Sequence, residues 1–370
     1  MKIGLVCPYA LRLYGGVQGQ VAGLALAFAT KGHAVTVAAP SATGPVAEQL
    51  VAAGVEVIDA GPTVGIRANG SVAPITVRPR AAMAVRRALS GAHVDVVHVH
   101  EPLAPVTAWG LVLAPVAPQV ATFHRSGGGG WLRAIAPVRP LLGRAFAQSF
   151  AVSPSAAQFA RLVTTADPEI LFNGIALAPV RTEEHSTKPT IAFIGRHEHR
   201  KGLEVLLRAH DGMVGVDLVV AGAGLETEEL RAAFPESPDR QWVGVLTDAE
   251  KQALLQRASV VCLPSLGGES FGVVVLEALA AGAVTVASAI DGYTQAADGH
   301  ALLAPPGDAG GLRRVLDEAV SMAISESGFG APSAKEAARA HAERWSMDAL
   351  SERYLDVYRS VTSAGGAATV

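Results

Sequence analysis

Cysteine is nearly absent from this sequence: Cys7 and Cys262 are the only two among 370 residues. Each sits alone in an apolar, strand-like run ("KIGLVCP", "ASVVCLPS"). Neither a disulfide framework nor a cysteine metal site can be built from them, and both read as buried thiols of a reducing compartment. Charge is scarce too, at 17% of residues, and nearly balanced at −3. Such a chain has no general attraction for nucleic acid, so any grip on an anion must be local. Long hydrophobic runs are missing. Gly, Pro or charge breaks every apolar stretch well before the roughly 18 residues that a membrane crossing requires. The opening "MKIGLVCPYA" has no cleavage-site pattern and reads as a strand, not a secretory leader. The expected location is the cytoplasm, with a peripheral place on the inner face of the plasma membrane left open. Disorder is excluded as well, because half of the residues are hydrophobic and mean hydropathy is +0.32.

What is present is an alternation of two periods. "KIGLVCP", "HAVTVAAP", "VEVIDAG", "VDVVHVH", "PQVATFH" and "QSFAVS" are continuous apolar runs, as expected of strands buried on both faces of a parallel sheet. Helical stripes lie between several of them, such as Val21, Leu24, Ala25 and Phe28, with Gly32 as terminator. Positions 177–188 ("LAPVRTEEHSTK") are polar and aperiodic, and after them the pattern restarts with "TIAFIGR", "VDLVVAGAG" and "ASVVCLPS". The length favours two cores over one. The pattern predicts an α/β protein of two tandem Rossmann-like, doubly wound domains, 1–176 and 189–345, facing across a cleft. A helix over 346–362, with Leu350, Tyr354 and Val357 on one stripe, is expected to pack back on the first domain, and 363–370 to form a disordered tail. Ligands of such sheets sit beyond the carboxyl ends of the strands, which directs attention to those ends.

Gly15 and Gly16 follow the first strand and open a helix, whose free N–H groups suit a phosphate. The spacing is G-G-x-x-G, and the second strand ends in "AAPS" without an acidic residue for a ribose, so the dinucleotide fingerprint is not met. His98 and His100 share one strand face with Glu101 on the other, but a third ligand at metal-binding spacing is missing, and no metal is expected. His124 ends another strand at the cleft side, just before a glycine run, and is a candidate for chemistry. In "GRHEHRKG", Arg196, Arg200 and Lys201 crowd three cations into six residues after a buried strand, which suits a diphosphate. Thr247 and Glu250 form a capping box that leaves Asp248 and Lys251 at a helix start. Capping and solvation account for that pair, and a carboxylate there could also accept two hydrogen bonds from a guanine edge. "GGESFGVVVLEALAAG" places Glu269 at a helix N-terminus and Glu277 about 12 Å further along it. That is too far apart to close on one glycosidic bond. It suits hydroxyls at the two ends of a nucleotide sugar, with the N–H groups of Ser270, Phe271 and Gly272 facing the phosphates between. Arg78, Arg80, Arg86 and Arg87 mark a stretch that is either a solvated helix face or a surface for anionic lipid.

Two α/β domains, "GGVQ" after the first strand, "GRHEHRKG" and the paired glutamates together resemble the retaining family-4 glycosyltransferases of GT-B fold, over nearly the whole chain. "VCPY", "YGGVQ", "ANGSV", "VHVHEP", "VATFH" and "LGGESFG" resemble in particular the actinobacterial branch that transfers mannose to phosphatidylinositol. The resemblance implies GDP-mannose as donor substrate and no required cofactor. It implies that Gly16 lets the backbone approach the diphosphate, that Arg196 and Lys201 bind it, that Glu269 holds sugar hydroxyls and Glu277 the ribose. It further implies that Asp248 and Lys251 read guanine, that His124 stands at the reacting sugar, and that Tyr9, Gln18, Asn69 and Ser71 line the acceptor side. The basic stretch 78–87 corresponds to the family's membrane-contact helix. Departures concern mainly the acceptor side. Gln18-Gly19-Gln20 replaces glutamine-serine-histidine, and "RSGGGG" replaces a hydroxyl-rich segment after His124. "GRHEHRKG" is one residue short, "LFNGIA" lacks the usual proline and aspartate, and Pro74 stands near the place of an expected arginine. The rival expectations are a UDP-sugar-dependent retaining transferase with a soluble acceptor, a sugar-nucleotide epimerase or hydrolase of GT-B shape, and a catalytically silent paralogue that only binds nucleotide.

Overall fold

The continuous apolar runs become strands covered on both faces. A computed structural model describes residues 1–13, 15–68, 71–104, 106–125, 139–177, 188–269 and 271–367. The chain divides into two units, Met1–Gly174 together with Met347–Val370, and Ile175–Ser346. In the first, strands β1 (Lys2–Val6), β2 (Ala34–Ala39), β3 (Glu56–Asp59), β6 (Val96–His100), β7 (Gln119–Phe123), β8 (Gln148–Ala151) and β9 (Glu169–Ile170) form a parallel sheet in the order β3-β2-β1-β6-β7-β8-β9. In the second, β10 (Thr190–Ile194), β11 (Asp217–Ala221), β12 (Arg240–Gly244), β13 (Val260–Leu263), β14 (Val284–Ser288) and β15 (Leu302–Ala304) follow the order β12-β11-β10-β13-β14-β15. Both orders reverse direction beside the first strand of the unit, the switch point at which doubly wound sheets take ligands.

Helix Gly16–Thr30 buries Val21, Leu24, Ala25 and Phe28, and Gly32 follows it at φ 80°. The C-terminal helix Met347–Ala367 belongs to the same core: Leu350, Tyr354 and Tyr358 are buried there. Tyr358 meets Phe28 at 5.6 Å and Tyr354 meets Phe150 edge-on at 5.3 Å. Lys31 clamps the two helices, its ammonium 2.6 Å from Asp348 and 2.7 Å from Glu352. A Cβ on Gly23 would stand 2.5 Å from the Met347 side chain, so glycine is what admits this close approach.

Two expectations change here. The last helix does not stop at 362 but runs through Ala367, and only 368–370 of the expected tail lie outside the described residues. Strands β4 (Val64–Ala68) and β5 (Ser71–Ile75) pair antiparallel as an unexpected hairpin. Its signal was the Asn-Gly pair at 69–70, the strongest short-range hairpin cue. Most of the expected linker 177–188 also lies outside the described residues. Among the described residues no helix is long and apolar enough to cross a membrane.

If the terminal helix is integral to the first core, Tyr354→Ala lowers stability by about 3–5 kcal/mol in urea unfolding. A loss below about 1 kcal/mol would mean that the helix is only appended.

Candidate functional site

In the second unit, two loops meet because glycine lets them. After β10 the chain turns tightly, with Lys201 N–H donating to Glu198 O at 2.8 Å, through a short 3-10 helix His199–Lys201. Gly202 follows at φ 65°, where a Cβ would fall 2.0 Å from Pro264 O. Leu266 N–H then donates to Arg200 O at 2.8 Å and ties the loop after β13 to this turn. Gly268 (φ 74°) and Gly272 (φ 79°) bend that second loop.

The result is a chain of alternating charge. Glu269 Oε1 receives Lys201 Nζ at 2.6 Å, Arg200 Nη1 at 2.9 Å and Ser265 Oγ at 3.3 Å. The Ser265 hydroxyl also pairs with Tyr293 Oη at 2.8 Å. Glu198 takes Arg200 Nε at 3.1 Å and Arg196 Nη1 at 2.7 Å. Three cations meet two carboxylates, leaving one positive charge in excess. Burial pulls the Lys201 ammonium below its ordinary pKa, an effect that Glu269 partly offsets. Arg196 is half-exposed at the end of the chain. Arg200 was expected among the cations but not on Glu269, and Glu198, Ser265 and Tyr293 were not expected at this centre. The signal available for them was Glu198 between two cations of one turn.

Glu269 does not stand at a helix N-terminus. The helix Val273–Ala281 begins four residues later, because Gly272 in the left-handed region cannot be its first turn. The 12 Å helical spacing of the two glutamates therefore does not apply. Glu277 lies inside that helix, buried, with Oε1 2.8 Å from Lys251 Nζ. Burial raises its carboxyl pKa and Lys251 counters. Lys251, expected to stand free, is thus engaged, whereas the Asp248 side chain is exposed 4.0 Å from it. The capping box forms: Glu250 N–H donates to Thr247 Oγ1 at 3.3 Å and Thr247 N–H to Glu250 Oε2 at 2.8 Å. Phe271 is buried with its ring edge-on to Trp345 at 5.8 Å. Ser270 lies outside the described residues.

In the first unit the strand ends gather a second cluster. His98 and His100 share a face of β6, and their rings stack at 4.2 Å. His98 is saturated by Tyr358 Oη at 2.6 Å and Thr122 Oγ1 at 2.7 Å. His100 Nδ1 lies 2.9 Å from His124 Nε2. Glu101 Oε2 accepts the backbone N–H groups of His124 and Arg125, each at 2.9 Å. Burial lowers the pKa of all three histidines, His98 to about 3, so the cluster is neutral at ordinary pH. Among the described residues no group of three or more His, Cys, Asp or Glu is placed to hold a metal ion.

Tyr9, whose phenol burial pushes up in pKa, bridges to Ile75 at the hairpin end. Gln18 turns its amide onto Ala10 O at 3.3 Å, over Gly15, and so closes the loop after β1. Gln20 does the same for Gly174, donating to its carbonyl at 2.5 Å. Gly16 is the first residue of its helix, and among the described residues nothing beyond its chain neighbours and its own helix backbone lies within 4 Å of where its Cβ would be. Asn69 and the side chain of Ser71 lie outside the described residues. Arg78, Arg80, Arg86 and Arg87 are exposed on or beside helix Pro79–Gly91, opposite its buried Ala81, Val85 and Leu89.

Known proteins resemble this chain in sequence and in fold. Residues 14–178 match the profile described as Glycosyltransferase Family 4, and residues 188–321 the one described as Glycosyl transferases group 1. The chain is 33% identical to a phosphatidyl-myo-inositol mannosyltransferase of Mycolicibacterium smegmatis, over 99% of its own length and 95% of that protein. It is 36% identical to a phosphatidyl-myo-inositol mannosyltransferase of Propionibacterium freudenreichii, over 78% of this chain and 77% of the other. A crystal structure of a glycosyltransferase from Rickettsia africae superposes with a TM-score of 0.75 over 97% of this chain and 98% of that one. At 18% identity that likeness concerns the fold.

Two outcomes are expected. Glu269→Ala removes the counter-charge of two cations and costs about 3 kcal/mol in urea unfolding; an unchanged midpoint would show the pair to be ornamental. His98 and His100 are neutral when folded and charge below pH about 6.5 when unfolded. Their folded pKa values are lowered, that of His98 to about 3, so stability is full above that pH and is lost as pH falls below it. Going from pH 7 to 5 should cost about 2 kcal/mol from His98 alone. A flat profile, or one unaltered by His98→Gln, contradicts this.

Proposed function

The chain belongs to glycosyltransferase family 4, and on that premise we propose that it transfers mannose from GDP-mannose to the inositol of phosphatidylinositol, with retention of anomeric configuration. It has the two Rossmann-like domains of the GT-B architecture, and it is a glycosyltransferase. The observation that carries the finer reading is likeness at 33% identity, along almost the whole length, to a relative named as a phosphatidyl-myo-inositol mannosyltransferase. The alternating charge chain supports it chemically.

The donor diphosphate takes Arg196 and Lys201, whose surplus positive charge balances what develops as the sugar departs. Among the described residues the three contacts of Glu269 fall on Oε1, so Oε2 is the oxygen offered to sugar hydroxyls. Glu277 holds the ribose and Lys251 steadies it from the nucleobase side, where Asp248 accepts from the guanine edge. The backbone N–H groups of Phe271 and Gly272 face the phosphates, and Ser270 and Gly16 are donor-side positions by their place in the sequence. His124 stands at the reacting sugar. Tyr9, Gln18, Asn69 and Ser71 are the acceptor-side positions, and Gln18 also braces the loop that carries Tyr9. In the transfer step the bond from the sugar C1 to the β-phosphate oxygen breaks and its electron pair leaves with GDP. The acceptor hydroxyl bonds to C1 from the same face, and its proton passes to the departing phosphate oxygen. No cofactor enters this scheme. Arg78, Arg80, Arg86 and Arg87 give the protein a footing on anionic lipid at the inner face of the membrane, each contributing about 1 kcal/mol.

Radiolabelled GDP-mannose with and without phosphatidylinositol vesicles tests the reading. Label should enter a lipid product only with the vesicles. Water-soluble mannose, or transfer only from a UDP-sugar, would overturn it. Replacing the four arginines by Gln should cut vesicle-dependent transfer at least tenfold, as expected from losing roughly 4 kcal/mol of surface attraction. Undiminished transfer would remove the basic helix from the account.

A further inference from the structure

The "HVHEP" segment is the part of the first unit to which the proposed reaction gives no work. Its geometry is specific. The His100 ring lies between those of His98, 4.2 Å away, and His124, 5.2 Å away. Its Nδ1 is 2.9 Å from His124 Nε2. Its Nε2 is buried and has no hydrogen-bond partner among the described residues. Both nitrogens of His98 are taken by hydroxyls, so His98 does not compete for His100.

One proton lies between the two facing nitrogens. If His124 Nε2 carried it, neutral His100 would have to keep its own proton on Nε2, where an N–H would be buried without an acceptor. An unmet buried donor costs on the order of 1–3 kcal/mol, and orphaned N–H groups are rarer than orphaned acceptors. A cationic His100 would bury a charge between two other imidazoles, which burial opposes. The remaining arrangement has His100 Nδ1–H donating to His124 Nε2. The proton of His124 then sits on its Nδ1.

A second observation lies one residue on. Glu101 adopts φ 48°, a left-handed conformation uncommon outside glycine. From there its carboxylate accepts the backbone N–H groups of His124 and Arg125. Two consecutive residues at one strand end therefore hold His124, one by the ring and one by the backbone. Strain of this kind persists where the surroundings over-determine it, commonly at working sites.

We propose that His100 is a positioning residue: its Nδ1–H fixes His124 in the Nδ1–H tautomer, so that His124 meets the reacting sugar as a neutral hydrogen-bond donor and not as a base. The part played by the sugar rests on the reaction proposed above; the tautomer does not. The occupied Nε2 lone pair also agrees with the acceptor proton leaving on the phosphate.

Nitrogen-15 labelling of histidine with long-range nitrogen–proton correlation reads the tautomer in the intact protein. The His124 signals are identified by their loss in His124→Asn. The wild type should show His124 as the Nδ1–H form between pH 6 and 8, and His100→Asn, whose amide N–H reaches the same place, should keep it. His100→Leu should shift His124 towards the Nε2–H form and lower kcat about tenfold, with the donor KM within about twofold. An Nε2–H form in the wild type, or an unchanged His124 in His100→Leu, overturns the proposal. If His100→Leu does not fold, the wild-type spectrum alone decides. Should the wild type show Nδ1–H yet fail to transfer mannose, the reaction is wrong and the tautomer lock stands.

Discussion

The contact between Lys201 and Glu269 organises the second unit. An ammonium that burial drives below its ordinary pKa needs a carboxylate at short range, and Glu269 supplies it at 2.6 Å. That contact exists because two loops lie against each other without side-chain bulk at Gly202, where a Cβ would stand 2.0 Å from Pro264 O. Gly292 does likewise under Glu269, whose carbonyl would be 2.4 Å from a Cβ there. The glycines thus set the charge chain, to which the proposed function assigns the donor diphosphate. Its cations are already held in position by the two carboxylates, so little rotamer entropy remains to be lost on binding.

The first unit solves a different problem with neutral groups. Three imidazoles, two tyrosines and a threonine are packed where ionisation is suppressed, and hydrogen bonds fix their orientation. The C-terminal helix supplies both tyrosines, so the last segment of the chain reaches the strand ends of the domain that begins it. The second unit thus gathers charge and the first gathers neutral hydrogen-bonding groups.

Most of the architecture was legible because buried parallel strands carry continuous apolar runs, and helices carry stripes ended by glycine. Gly32 and the Thr247–Glu250 box behaved as their sequence implied. The charge cluster of 196–201 and 269 was legible as unusual charge in apolar surroundings. What misled was local conformation. "GGESFGVVVLEALAAG" reads as one helix from its glutamate onward, and only the left-handed Gly272 delays the start to Val273. Arg200 was visible as a cation, but its link to Glu269 depends on a loop 69 residues away in sequence. The hairpin β4–β5 was missed despite its Asn-Gly pair because its strands are short and carry Gly65 and Pro74.

The central claim is that the charge chain at Lys201 binds the diphosphate of a guanine nucleotide. Titration calorimetry with GDP and UDP, on the wild type and on Lys201→Ala, addresses it most directly. The account predicts GDP binding at least tenfold tighter than UDP, and about 100-fold weaker GDP binding in the variant, the worth of a charge-assisted contact of about 3 kcal/mol. Equal affinity for the two nucleotides, or GDP binding untouched by the loss of Lys201, would contradict it.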